Sequence, residues 1–258
     1  MAQIDNRYAR SGSVPSAGVE IDEGLRSYML RVYNYMAGGL ALSGLVAFTL
    51  FNMAVTNDQS QAAAKFGSKF LTPFGKALYG SPLMWVLVLA PLAFVLLLSF
   101  RVYKMSPAAT QIAFWSFAVV MGASLSTLLL RYTGASIAQV FAITATAFAA
   151  LSLFGYTTKK DLSGWGSFLI MGVIGLILAG LVNIFLQSSG LQFAISAIGV
   201  LVFAGLTAYD TQNIKDHYYE VAHDGALATK TAVMGALNLY LDFINMFQSL
   251  LYLMGDRE

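Results

Sequence analysis

The sequence predicts an all-α polytopic membrane protein with seven transmembrane helices. Three observations lead there. The 258 residues are 57% hydrophobic and only 11% charged, where soluble domains carry about 25% charged residues. Mean hydropathy is +0.66. The 15 basic and 13 acidic residues gather between long uncharged stretches, each near the ~20 residues a helix needs to cross the hydrocarbon of a bilayer.

The elements follow in order. Residues 1–27 are polar and mixed in charge, with no apolar core leading to a cleavage site, and read as a cytosolic tail without a signal peptide. A single transmembrane domain fills 28–255. Its spans are expected at Tyr28–Phe51, Pro82–Tyr103, Ala108–Leu130, Gly134–Tyr156, Gly164–Leu186, Gln192–Asn213 and Thr231–Met254. Pro91 should kink the second. Between the first two spans, Gln59–Phe70 mixes Ala, Phe and Lys, which fits a short interfacial helix or a solvated loop. Ser163 is the expected N-cap of the fifth span. Gly172, Gly175, Ala179 and Gly180 give that span a small-residue face for close helix packing. Uncharged sequence from Leu162 to Tyr209 is too long for one helix, and Gln187-Ser-Ser-Gly190 is the natural break.

Lys and Arg set the orientation. Arg7, Arg10, Arg26, Arg31, Arg101, Lys104, Lys159, Lys160, Lys215 and Lys230 fall on one side; Lys65, Lys69, Lys76, Arg131 and Arg257 fall on the other. The N-terminus is therefore expected in the cytosol. With seven spans the C-terminus lies outside; a re-entrant last helix would return it to the cytosol.

Two acidic residues do not lie in tails or connections. Asp242 sits inside the last span and Asp210 near the end of the sixth. An ionised Asp at mid-bilayer costs roughly 2.5–3.5 kcal/mol on insertion scales. Such a residue is retained for a function or paired, and these two are the obvious candidates to pair with each other. Two close carboxylates in low dielectric resist double ionisation and share a proton. The pair can sense pH, or bind a hard cation such as calcium through oxygen.

Around it, Thr231, Gly235, Asn238, Asp242, Asn245 and Ser249 recur at spacings of three and four, on one face of the last helix. A polar stripe of that length cannot face lipid. Asn238, Asn245 and Ser249 either line a route or serve as interhelical hydrogen-bond glue. Thr207, Asp210 and Asn213 form a polar rim on the sixth helix. Arg101, ending the second span on the same side, is a membrane-surface anchor or a counter-ion that latches the carboxylates.

Other chemistries find little footing. No Cys removes disulfides, thiolate metal sites and Cys nucleophiles. His217 and His223 share no helical face. Tyr209-Asp210 fits intramembrane aspartyl proteases, yet the second Asp lacks the Gly-x-Gly-Asp setting those enzymes use. No phosphate loop or nucleophile elbow is present, and no basic, aromatic-interleaved patch points to nucleic acid. No enzymatic activity and no cofactor are expected.

Gly235-Ala-Leu-Asn-Leu-Tyr-Leu-Asp-Phe-Ile-Asn-Met-Phe247, with Leu250-Leu-Tyr-Leu-Met-Gly255, resembles the Bax inhibitor-1 (transmembrane Bax inhibitor motif) family, in its bacterial branch. Leu206-Thr-Ala-Tyr-Asp-Thr-Gln212 and Gly155-Tyr-Thr-Thr-Lys-Lys-Asp-Leu-Ser-Gly164 support the match, which extends from about Leu25 to Gly255. The resemblance implies six helices around a central seventh, a di-aspartate centre at Asp210 and Asp242, and Arg101 as its latch. It implies a pH-sensitive calcium leak in the bacterial inner membrane, with calcium and protons as its ions. The alternative it admits is a regulatory protein that binds another membrane protein, such as a quality-control protease, without transport. An asymmetric seven-helix chain needs no oligomer to form a route, so a monomer in the lipid bilayer is expected.

Overall fold

The computed structural model describes residues 17–257, apart from the side chains of residues 17–22, Gln61 and Tyr103. Most of the expected tail therefore lies outside the described residues. Helix α1 (Ala17–Ala54) begins ahead of the expected Tyr28. Glu23, Arg26 and Arg31 end the apolar signal, but nothing in them stops a helix.

The connection after α1 holds a single 3-10 turn (Gln59–Gln61) in an exposed stretch, not an interfacial helix. Around that turn it forms a small sheet. Strand β1 (Val55–Thr56) follows α1 without a gap, and β2 (Ala64–Phe66) and β3 (Lys69–Leu71) complete it in the order β1-β3-β2. Val55 faces Leu71 across one antiparallel ladder, and Lys65 faces Phe70 across the other. Lys65 is exposed between the half-buried Ala64 and Phe66, the period of two that marks a strand. Helix α2 (Pro73–Tyr79) then starts on Thr72, whose hydroxyl accepts the Gly75 amide at 3.1 Å. A side chain at Gly75 would strike the Ala54 carbonyl, so glycine lets α2 cross the end of α1. The Tyr79 hydroxyl donates to Ser126 at 2.8 Å, and Leu71 and Leu78 pack with Leu130. These contacts fasten the sheet and α2, together the flap, to the bundle.

The remaining helices are α3 (Leu83–Arg101), α4 (Pro107–Leu129), α5 (Gly134–Thr157), α6 (Ser163–Leu186), α7 (Ser189–Val221) and α8 (Gly225–Met254). Pro91 lies within α3, which continues through it as one helix. Ser106 and Thr133 cap α4 and α5 through their hydroxyls. Ser163 does not cap α6; it is the first helical residue. Leu162 holds the N-cap position without a side-chain bond, and the Asp161 carboxylate, two residues before Ser163, accepts the Ser163 amide at 2.8 Å. The amide and hydroxyl of Ser163 hold the Asp161 carboxyl below its ordinary range. The expected break between α6 and α7 is present: Gln187 turns left-handed at φ 49°, and Ser188 caps α7 by accepting the Leu191 amide at 3.3 Å.

Among the described residues six helices are long and apolar enough to cross a membrane: α1 from Glu23, and α3 to α7. The protein is thus an all-α polytopic membrane protein, with the small sheet as an appendage. Helix α8 falls short of that apolar criterion because of its polar stripe, yet it forms the core. Ala236, Leu237, Leu239, Tyr240, Phe243 and Met246 are all buried. Its principal neighbours are α1, α4, α5 and α7, whereas α3 packs chiefly on α4 and α6 on α7. The surround is therefore two layers deep rather than a ring of six. The small-residue face of α6 is only partly used. Gly172 meets Val202 of α7, while Gly175 and Gly180 have no neighbour close enough to touch an added Cβ.

Candidate functional site

Helix α7 carries Asp210 and is bolted down along that stretch. Gly155 of α5 packs directly on the Ala208 backbone, leaving no room for a side chain. The Gln212 amide group spans to the α5–α6 connection: its oxygen accepts the Leu162 amide at 2.7 Å, and its nitrogen donates to the Lys160 carbonyl at 2.8 Å. Lys215 donates to the Tyr156 carbonyl at 3.0 Å. A hydroxyl chain adds a third tie. Thr211 donates to the Thr207 carbonyl at 2.7 Å, and so accepts from Ser152 at 2.9 Å. Ser152 in turn accepts from Tyr33 at 2.6 Å. The terminal carbonyl thus fixes the direction of every donor and joins α1, α5 and α7.

Helix α8 carries Asp242 and is held as firmly. Tyr240 donates to Ser43 at 2.7 Å, and Ser43 donates to the Ala118 carbonyl at 2.6 Å. Phe243 stacks edge-on against Phe141 and Phe148. Gly235 lies against Ile214, so α7 and α8 approach closely below the carboxylates.

These constraints bring the two predicted carboxylates together. The Asp210 and Asp242 carboxyl groups face each other closely enough to interact directly, and a hydrogen bond between two carboxyl groups needs one of them protonated. Asp242 is only 4% exposed, and its Oδ2 is buried without a partner. A buried oxygen without a donor is costly in a finished structure.

The polar stripe changes character along α8. Asn238, one turn from Asp242, is exposed. On the other side, Asn245 and Ser249 line a cavity of about 670 Å³ with Arg131, Asn183, Gln187, Ser188, Gln192, Ser196 and Gln248. Asn245 donates its amide nitrogen to the Leu241 carbonyl at 2.8 Å. Asp242 is thus the closed step between two accessible polar segments. Asn183, Gln192 and Gln248 are site residues that the sequence reading passed over. Their signal was present, since amides inside an apolar stretch need partners.

The structure does not bring Arg101 to the pair. Arg101 is exposed in the last turn of α3, a helix that packs on α4, and it makes no ion pair with either carboxylate among the described residues. His217 and His223 are exposed, and His217 bonds only its own helix, at Asn213. No group of three or more His, Cys, Asp or Glu residues stands together among the described residues. Two carboxylates supply fewer oxygens than the six to eight a calcium ion takes.

Comparison with known proteins agrees with this architecture. The chain is 45% identical to an uncharacterized protein of Caulobacter vibrioides over the full length of both. It is 41% identical to the inner membrane protein YbhL of Escherichia coli, covering 98% of this chain and all of that one. An uncharacterized protein of Deinococcus radiodurans is 38% identical over 91% of this chain and 92% of its own length. Residues 25–258 match the family described as inhibitor of apoptosis-promoting Bax1, so this chain belongs to the Bax inhibitor-1 family of membrane proteins.

Proposed function

We propose that the protein is a pH-sensitive cation leak, with calcium as its leading ion, gated by the Asp210–Asp242 pair. Helix α8 is its seventh crossing, shielded from lipid by its neighbours. The N-terminus is cytosolic, and the membrane is the bacterial inner membrane, in keeping with the name of the Escherichia coli relative. One observation carries the reading. A polar stripe, exposed at Asn238 and open to a large cavity at Asn245 and Ser249, is interrupted at Asp242, which is buried beside the half-buried Asp210. While the proton is shared, the two side chains are locked to each other and the stripe is closed. Loss of that proton leaves two adjacent anions in low dielectric, which repel and favour a cation between them. Flux therefore rises with pH. Arg101 serves as a latch only if α3 moves toward α7 and α8.

The test is calcium influx into liposomes carrying the purified protein, between about pH 6 and about pH 8, beside Asp210→Asn and Asp242→Asn. Flux that rises with pH and loses that dependence in both variants supports the reading. Unchanged profiles in both variants refute the carboxylate gate. No flux above empty liposomes refutes transport and favours a regulatory protein that acts by binding another membrane protein.

A further inference from the structure

A second cavity lies on the flank of the bundle, away from the carboxylates and independent of the transport reading. It is a groove of about 400 Å³ between α1 and α5, lined by Arg26, Met29, Leu30, Tyr33, Phe148, Ala149, Ser152, Leu153 and Tyr156. Both walls belong to helices that can cross a membrane. Leu30 and Leu153 are well exposed at its edges, so the groove faces the bilayer. Apolar walls at that depth are covered by hydrocarbon, not water.

The polar groups sort by position. Tyr33 and Ser152, on the floor, are bonded to each other and ask nothing of an occupant. Arg26 is exposed at the end of the groove toward the start of α1. At that same end Lys215 reaches the Tyr156 carbonyl, with its ammonium 5.8 Å from the Tyr156 ring centre. Among the described residues no carboxylate lines the groove; Glu23, one turn before Arg26, lines the neighbouring surface, which Arg26 shares with Arg31 and Trp115. An apolar slot with cations at one end fits one acyl chain beneath an anionic headgroup. A helix, about 10–12 Å across with its side chains, is too thick for this volume, and the satisfied hydroxyls offer it no hydrogen bond.

We propose that this groove binds an anionic phospholipid, with one acyl chain between α1 and α5 and the headgroup phosphate at Arg26. Basic pockets between membrane helices recognise acidic headgroups in this way. The occupant bridges two helices that the Tyr33–Ser152 hydrogen bond ties across the groove.

The experiment is native mass spectrometry of the purified full chain, titrated with dioleoyl phosphatidylglycerol, dioleoyl phosphatidylcholine or oleate. The chain is expected to retain one phosphatidylglycerol in preference to phosphatidylcholine. Arg26→Gln should lower that preference about fivefold, the effect of one cation at a membrane surface. Ala149→Trp, at an exposed position on the groove wall, should abolish retention of both lipids while the thermal unfolding midpoint stays near that of the unsubstituted chain. Equal retention of the two phospholipids by the unsubstituted chain, or a phosphatidylglycerol preference that survives Arg26→Gln, overturns the proposal. Retention of oleate without phosphatidylglycerol also overturns it and assigns the groove to a free fatty acid.

Discussion

Helices α6 and α8 are of comparable length and lie in the same bundle, yet they solve opposite problems. Helix α6 is apolar almost throughout, and only Gly166 and Leu169 are buried; Phe168, Ile174, Leu178 and Phe185 are exposed. Helix α8 carries Asn, Asp and Ser along one face and is the most enclosed helix of the protein. In water the apolar helix would be the buried one. In a bilayer the solvent is itself apolar, so the helix that meets it must be greasy, and the polar one needs protein around it. The difference teaches that burial here marks function, while hydropathy marks exposure to lipid.

The comparison can be broken most severely at Asp242. Asp242→Lys places an ammonium against Asp210 where no water reaches it. The burial of a long charged side chain in place of Asp242 should cost about 3–5 kcal/mol, enough to remove folded protein. Detergent-extracted yield and the thermal unfolding midpoint measure it. A folded Lys variant of near-normal stability would mean that the site is open to water, contrary to its 4% exposure.

A size change sharpens the contrast. Gly235→Leu in α8 drives a side chain into Ile214 of α7, and overpacking of this kind costs about 1–3 kcal/mol. Gly175→Leu in α6 meets no neighbour and should stay within about 0.5 kcal/mol of the unsubstituted chain, helped by better helix propensity. Equal losses in the two variants would show that α6 packs against something beyond this chain.

Smaller still is the effect of Tyr240→Phe, which removes one buried hydrogen bond to Ser43 and leaves Ser43 bonded to the Ala118 carbonyl. The expected loss is about 0.5–1.5 kcal/mol, read as a shift of the unfolding midpoint. The smallest effect lies at the surface, at the start of α6. Because Asp161 is held below its ordinary range, the contribution of its bond to Ser163 is present above the unfolded value and is lost as pH falls through the folded one, below about pH 4. Asp161→Asn should weaken protection of the Ser163 amide in hydrogen exchange at neutral pH, without changing the unfolding midpoint measurably.

The same logic explains which features were legible in the sequence. Spans α4, α5 and α6 could be placed within a residue or two, because lipid contact writes itself as hydropathy. The carboxylate pair was legible because an uncompensated charge in an apolar stretch stands out. The flap was not. Its strands are two or three residues long and exist through pairings such as Val55 with Leu71, which no local window sees. The continuation of α7 to Val221 was hidden by Lys215, Asp216 and Glu220, charges that end a membrane signal without ending a helix. The cavity beside Asn245 draws its walls from α4, α6, α7 and α8, so only the assembled bundle reveals it. Arg101 had the right side and the right charge, but its distance from the pair depends on how α3 packs, which the sequence does not encode locally.

The union of α1 with the flap carries a mechanical consequence. Helix α1 spans 38 residues, about 57 Å at 1.5 Å per residue, and passes into β1 with no joint between them. A rod of that length behaves as a lever: a tilt of about 5° at the end bearing Arg26 swings the far end by about 5 Å. A tilt of α1 begun near Tyr33 would register at the flap only against the ties to Ser126 and Leu130 that hold it to the bundle. A fluorophore on the exposed Lys65 would read that swing from outside the bilayer, at a point that touches neither the carboxylates nor the groove.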